Sequence, residues 1–82
     1  MGFQTIGEKV IVAGVYTGAK FYPKKFLWQK QTYLIEKITL VTDMHEGQTK
    51  KRMYSVTVGS NLYRLVFNRD SEVWVLEEVW SE

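Results

Sequence analysis

The chain has 82 residues, no cysteine, three Trp, five Tyr, four Phe and a net charge of +2. Such a length admits one small domain near the lower limit for an unaided core, and that core must rest on aromatic packing, not on disulfides or thiolate-bound metal. The basic balance is far below that of a dedicated nucleic-acid binder, and no stretch nears the ~20 apolar residues of a membrane span, so a cytoplasmic protein with no membrane partner is expected.

Glu8 to Tyr16 is rich in Val and Ile on both alternating faces. This predicts a central or curled strand, with a bend or bulge at Gly14 and Gly18. Thr17 to Lys25 reads as a loop, because Pro23 cannot donate to a sheet ladder and so favours a loop or an edge. Phe26 to Trp28 starts a short strand, Gln29 to Thr32 is the length of a tight turn, and Tyr33 to Asp43 reads as one long strand. Asp43 to Lys50 is polar, contains Gly47 and predicts a longer connection.

Lys51 to Val58 alternates, with Tyr54, Val56 and Val58 on one side of a half-buried strand. Gly59-Ser60-Asn61 is a hairpin turn leading to Leu62 to Asn68, whose inner face carries Tyr63, Leu65 and Phe67. Arg69 to Glu72 forms a second turn. In Val73 to Trp80 the apolar set shifts phase from Trp74 and Leu76 to Val79, which predicts a bulge near Glu77 and Glu78. No segment has helical periodicity with caps. The fold class is therefore all-β: a five- to six-stranded antiparallel meander, strongly twisted, either closed into a small barrel or left as an open sheet.

The run Phe26-Leu27-Trp28-Gln29-Lys30-Gln31-Thr32-Tyr33-Leu34-Ile35, with Arg52-Met53-Tyr54-Ser55-Val56 and Trp74 to Trp80, resembles an uncharacterised bacterial family of small all-β domains. Members of that family look like stand-alone proteins or a C-terminal tail on a polymerase-like subunit of a DNA-damage mutagenesis system. The likeness covers residues 8 to 80 in order and rests mostly on structural aromatics. It departs at Lys30, where the family often carries Gly in the turn after the Trp. The resemblance transfers no mechanism and implies only work near DNA.

Charge changes sign along the chain. Residues 1 to 30 carry Lys9, Lys20, Lys24, Lys25 and Lys30 against Glu8, a balance of +4, whereas residues 53 to 82 carry Arg64 and Arg69 against five acids, a balance of −3. Catalytic constellations are lacking. His45 is the only histidine, so neither a two-histidine metal site nor a Cys/His pair can form, and beside Asp43 and Glu46 it reads as a solvated loop residue. Glu77 and Glu78 are adjacent and so fall on opposite faces of a regular strand. Gly14-Val15-Tyr16-Thr17-Gly18 lacks the spacing and the following Lys-Ser/Thr of a phosphate-cradling loop. No enzyme activity, cofactor or metal is expected.

Two binding readings follow. In the first, Lys20, Lys24, Lys25 and Lys30 surround Phe21 and Tyr22, and Lys51 and Arg52 extend the groove, so that bases of a single-stranded nucleic acid stack on aromatics while cations follow the phosphates. Trp28 fits this set too, although core packing is its commoner use. The partner is then single-stranded nucleic acid or a protein that handles it. In the second, a sheet apolar on both faces leaves a patch for a protein partner or for a homodimer formed by edge pairing, with no nucleic-acid binding.

Overall fold

The computed structural model describes residues 2–81. Seven strands form one antiparallel sheet: β1 (Gly2–Thr17), β2 (Lys20–Trp28), β3 (Gln31–Leu34), β4 (Lys37–Glu46), β5 (Thr49–Val58), β6 (Asn61–Asn68) and β7 (Val73–Ser81). Their spatial order is β3-β2-β1-β7-β6-β5-β4. Two meanders, β1 to β3 and β4 to β7, are thus joined by the pairing of β1 with β7. Among the described residues no helix is long and apolar enough to cross a membrane.

Strand β1 is central, as its two apolar faces imply, and it divides its pairing. Gly2 to Val10 pair with β7, and Ile11 to Thr17 pair with β2. Both predicted irregularities lie where the sequence puts them. Register shifts between Ala13 and Gly14 in the β1–β2 pair, and between Arg64 and Leu65 in the β6–β7 pair, where Arg64 faces Glu78 and Leu65 faces Leu76. Glu77 is therefore the extra residue. Leu76 is buried and Val79 packs on the core, so the bulge turns both Glu77 and Glu78 outward, and Glu78 meets Arg64 at 2.7 Å.

Four expectations are corrected. The sheet has seven strands, not five or six, and it is not closed into a barrel. Thr17 to Lys25 is not a loop: Gly18-Ala19 makes a tight turn and β2 begins at Lys20. Pro23 is accommodated because β3 pairs only with residues 25 to 28, so at Pro23 the strand has a neighbour on one side alone. The long strand from Tyr33 breaks at Ile35 and Glu36, where the chain crosses from one edge of the sheet to the other. The Ile35 N–H donates to the Lys24 carbonyl at 2.9 Å and the Glu36 N–H to the Thr57 carbonyl at 2.8 Å. These two bonds tie the edges at one point, but the ladder does not continue across them. Finally, the connection after Asp43 is only Gly47-Gln48, and His45 lies on β4.

The core lies inside the curl. Phe26, 1% exposed, stacks on Tyr33 with centroids 5.0 Å apart and meets Tyr63 edge-on at 5.2 Å. Val10, Tyr54, Val56, Leu65 and Leu76 complete it. Truncating such a buried ring costs roughly 3–5 kcal/mol.

Gly14 is required for a different reason from the turn glycines. A Cβ there would lie 2.2 Å from the Tyr22 carbonyl oxygen and 2.8 Å from the Pro23 Cα, both backbone atoms that cannot swing away. Gly18, by contrast, has φ +63° and open space around it. Gly14→Ala is expected to lower unfolding free energy by about 3 kcal/mol and Gly18→Ala by about 1 kcal/mol in urea titrations. Equal losses would mean that close strand approach at the bulge is not a constraint.

Candidate functional site

One cross-strand row organises the inner face at the open end of the curl. Asp43 faces Arg52, Arg52 faces Phe67, Phe67 faces Trp74, and Trp74 faces Val10. Partners in antiparallel strands project to the same side, so the row presents an ion pair, two aromatic rings and an aliphatic floor in line. Trp74 is its centre. Its ring lies 4.8 Å from Phe67, 5.3 Å from Tyr54 and 5.8 Å from Phe21, and Phe21 in turn lies 5.1 Å from Tyr16.

Above this row is a cleft of about 990 Å³. One wall comes from the β1–β2 hairpin through Tyr16 and Phe21, and the other from β5, β6 and β7. Trp28 closes one end, and its indole Nε1–H donates to Glu8 Oε1 at 3.1 Å. The charged lining is Lys9, Lys30, Arg52 and Arg69 against Glu8 and Glu72. Cations thus outnumber anions, and the volume is ample for a planar ring inserted against Trp74.

Arg52 is held by Asp43, with Nε to Oδ1 at 2.6 Å and Nη2 to Oδ2 at 3.4 Å. The hydrogen bond from Arg52 holds the Asp43 carboxyl below its ordinary 3.8 and raises the guanidinium further. A depressed carboxyl contributes stability that is present above its unfolded value and lost as pH falls through the folded one, so the pair is intact at neutral pH. The Asp43 side chain is 60% exposed and that of Arg52 31%, so solvent screens the pair and it positions Arg52 more than it stabilises the fold. Glu46 is lowered in the same way by its hydrogen bond from Lys51.

The turn that carries Lys30 is strained. Gln29 has φ 51° and Lys30 φ 63°, so both residues of the Trp28–Gln31 hairpin turn are left-handed without being glycine. This is the backbone that a primed hairpin turn demands and that Gly meets most cheaply. Lys30 keeps the backbone geometry that glycine would adopt there. The strain sits at the mouth of the cleft.

Of the residues singled out in the sequence, Phe21, Lys30 and Arg52 converge on this cleft. Tyr22 and Lys25 do not: Phe21 and Phe26 face inward, so their neighbours lie on the outer side of β2, and Lys20 alternates with Phe21 in the same way. Lys24 sits at the bulge opposite Ala13 and Gly14. Lys51 alternates away from Arg52, pairs with Glu46, and lines a separate hollow of about 320 Å³ with Val66, Val75 and Glu77. Trp74, Phe67, Tyr16 and Arg69 are cleft residues that sequence reading misses as a site. Among the described residues no group of three or more His, Asp or Glu converges.

The chain matches no family model, no curated protein and no solved structure.

Lys30→Gly is expected to separate stability from binding. It relieves a left-handed non-glycine residue, so stability rises by about 1 kcal/mol in thermal unfolding, while a cation is removed from the cleft mouth. A loss of stability would contradict the strained-turn assignment.

Proposed function

We propose that the protein is a non-catalytic accessory binding module of the cytoplasm whose cleft takes single-stranded nucleic acid. The observation that carries this reading is Trp74 at the floor of an open cleft, ringed by Phe21, Tyr54 and Phe67, with Lys30, Arg52 and Arg69 at its margin. A nucleotide of a single strand presents a base with two free π-faces and, beyond its sugar, a charged phosphate. The cleft offers a stacking surface with guanidinium groups among its lining, and this combination binds single strands without reading their sequence. Duplex is disfavoured, because its bases are already stacked on one another and leave no free face for Trp74.

Glu8 and Glu72 fit the same reading. Carboxylates repel phosphate but accept hydrogen bonds from base amino groups, so they tune which bases sit well without supplying affinity. The resemblance to a bacterial family with members attached to polymerase-like subunits supports a partner that is, or handles, nucleic acid. A protein-interaction role with no nucleic-acid binding is the reading to be set against this one.

Anisotropy of a labelled oligothymidylate tests it. Wild-type affinity should fall steeply between low and moderate salt, and Arg69→Glu should reduce both affinity and salt slope. Phe21→Ala should lose about 1–3 kcal/mol of binding, as removal of a stacking ring does. Asp43→Asn releases Arg52 and should tighten binding about threefold. Affinity that is unmoved by salt and by Phe21→Ala would overturn the reading.

A further inference from the structure

The outer face of the β1–β2–β3 unit is apolar and uncovered. Val10 and Val12 pack toward the core, so Lys9, Ile11, Ala13 and Val15 face outward, as do Tyr22 and Leu27 on β2. The register sets Ile11 beside Leu27 and Thr32, Ala13 beside Lys25 and Leu34, and Val15 beside Tyr22. Ile11 is 68% and Leu34 67% exposed, and Val15, Tyr22 and Leu27 are 37–49% exposed. Large aliphatic side chains so open and so contiguous are uncommon on a monomer surface and mark a contact.

The charge of the same unit narrows what that contact is. From residue 9 to residue 35 there are five lysines and not one Asp or Glu. Lys9, Lys20 and Lys25 share the outer face with the aliphatic grid. A second copy seated isologously on the β1–β2–β3 unit would set lysines against lysines, since Glu77, which shares a hollow with Lys9, lies on β7 outside the aliphatic grid. Nucleic acid finds phosphate partners there but little to stack on, because only Tyr22 is aromatic. A folded protein partner anchors its strongest contacts in pockets, whereas this is the outside of a curled sheet, with side chains that protrude.

We propose that this face rests on an anionic lipid surface. Ile11, Leu27 and Leu34 enter the boundary between headgroups and acyl chains, and Lys9, Lys20 and Lys25 meet the lipid phosphates. The expectation of no membrane partner rests on the lack of a spanning segment, and a surface contact requires none. Lys9, Ile11 and Leu27 also border the cleft, so the two surfaces meet along β1 and β2, and Lys25, which does not line the cleft, separates them in the test.

Co-sedimentation with vesicles of phosphatidylcholine containing phosphatidylglycerol, against vesicles of phosphatidylcholine alone, tests it, beside sedimentation velocity of the free protein. Wild type should bind the anionic vesicles and not the neutral ones. The double variant Ile11→Ser/Leu34→Ser and the single variant Lys25→Glu should each lower partitioning about tenfold, whereas Arg69→Glu in the cleft should leave it unchanged. All substituted positions are exposed, and unaltered Trp emission confirms retained folding. The proposal is overturned by absence of binding to anionic vesicles, or by binding that Ile11→Ser/Leu34→Ser leaves intact. It is equally overturned by a dimer of the free protein that this double variant dissociates, since a second copy would then cover the face.

Discussion

The divided pairing of β1 is the constraint on which the molecule depends. Its first half belongs to β7 and its second half to β2, so the strand leaves one partner at Val10 and takes the other at Ile11. Strand β7 begins only at Val73, after the turn that ends at Glu72, whereas β1 runs on to Thr17. The β1–β2 hairpin therefore extends past the end of its neighbour and curves over the inner face. The cleft is the space beneath that overhang. Had β7 continued alongside β1, the Trp74 row would be sealed under a regular sheet.

Two aromatic clusters divide the remaining tasks. Phe26, Tyr33 and Tyr63 pack inside the curl with Leu65, Leu76 and Val56, and they supply the buried apolar area that a chain of 82 residues needs without disulfides. The second cluster, around Trp74, is only half-buried and faces the cleft. Trp28 stands between the two, 5.8 Å from Tyr33 on the core side and bonded to Glu8 on the cleft side. Its position reconciles the structural and the binding uses of that tryptophan. Strain is placed with the same economy: Gln29 and Lys30 are left-handed next to Trp28, so among the described residues the one hairpin turn built of two non-glycine left-handed residues is the one at the cleft mouth.

The parts of this fold that were legible in the sequence are those set by local phase. Glu77 announces its bulge because the apolar residues before and after it fall on opposite parities, and Pro23 announces an edge because it has no N–H to donate. Tyr63, Leu65 and Phe67 face inward as alternation requires. What was not legible depends on register between distant strands. Phe21 lies against Trp74, 53 positions away, only because β1 pairs with both β2 and β7, and no pattern within either segment encodes that. Lys51 and Arg52 look like one basic patch when read as neighbours, yet adjacent strand residues face opposite sides. The stretch from Thr17 to Lys25 looks like a loop because its lysines and proline resemble turn chemistry, whereas those lysines lie along an exposed strand. The barrel expectation fails at Ile35 and Glu36, where twist brings the edges together but a four-residue β3 is too short to carry a closing ladder.

Among the three tryptophans, Trp80 packs on Phe3 at the end of β7, away from the cleft, while Trp28 and Trp74 line it. The indole N–H signals therefore report separately on the site and on the rest of the molecule. The most direct measurement is a ¹⁵N–¹H titration with oligothymidylate that follows these three signals. The account predicts progressive shifts of the Trp74 and Trp28 indoles with Trp80 unmoved. Shifts confined to Trp80, or none in any indole while the oligonucleotide binds, would contradict it.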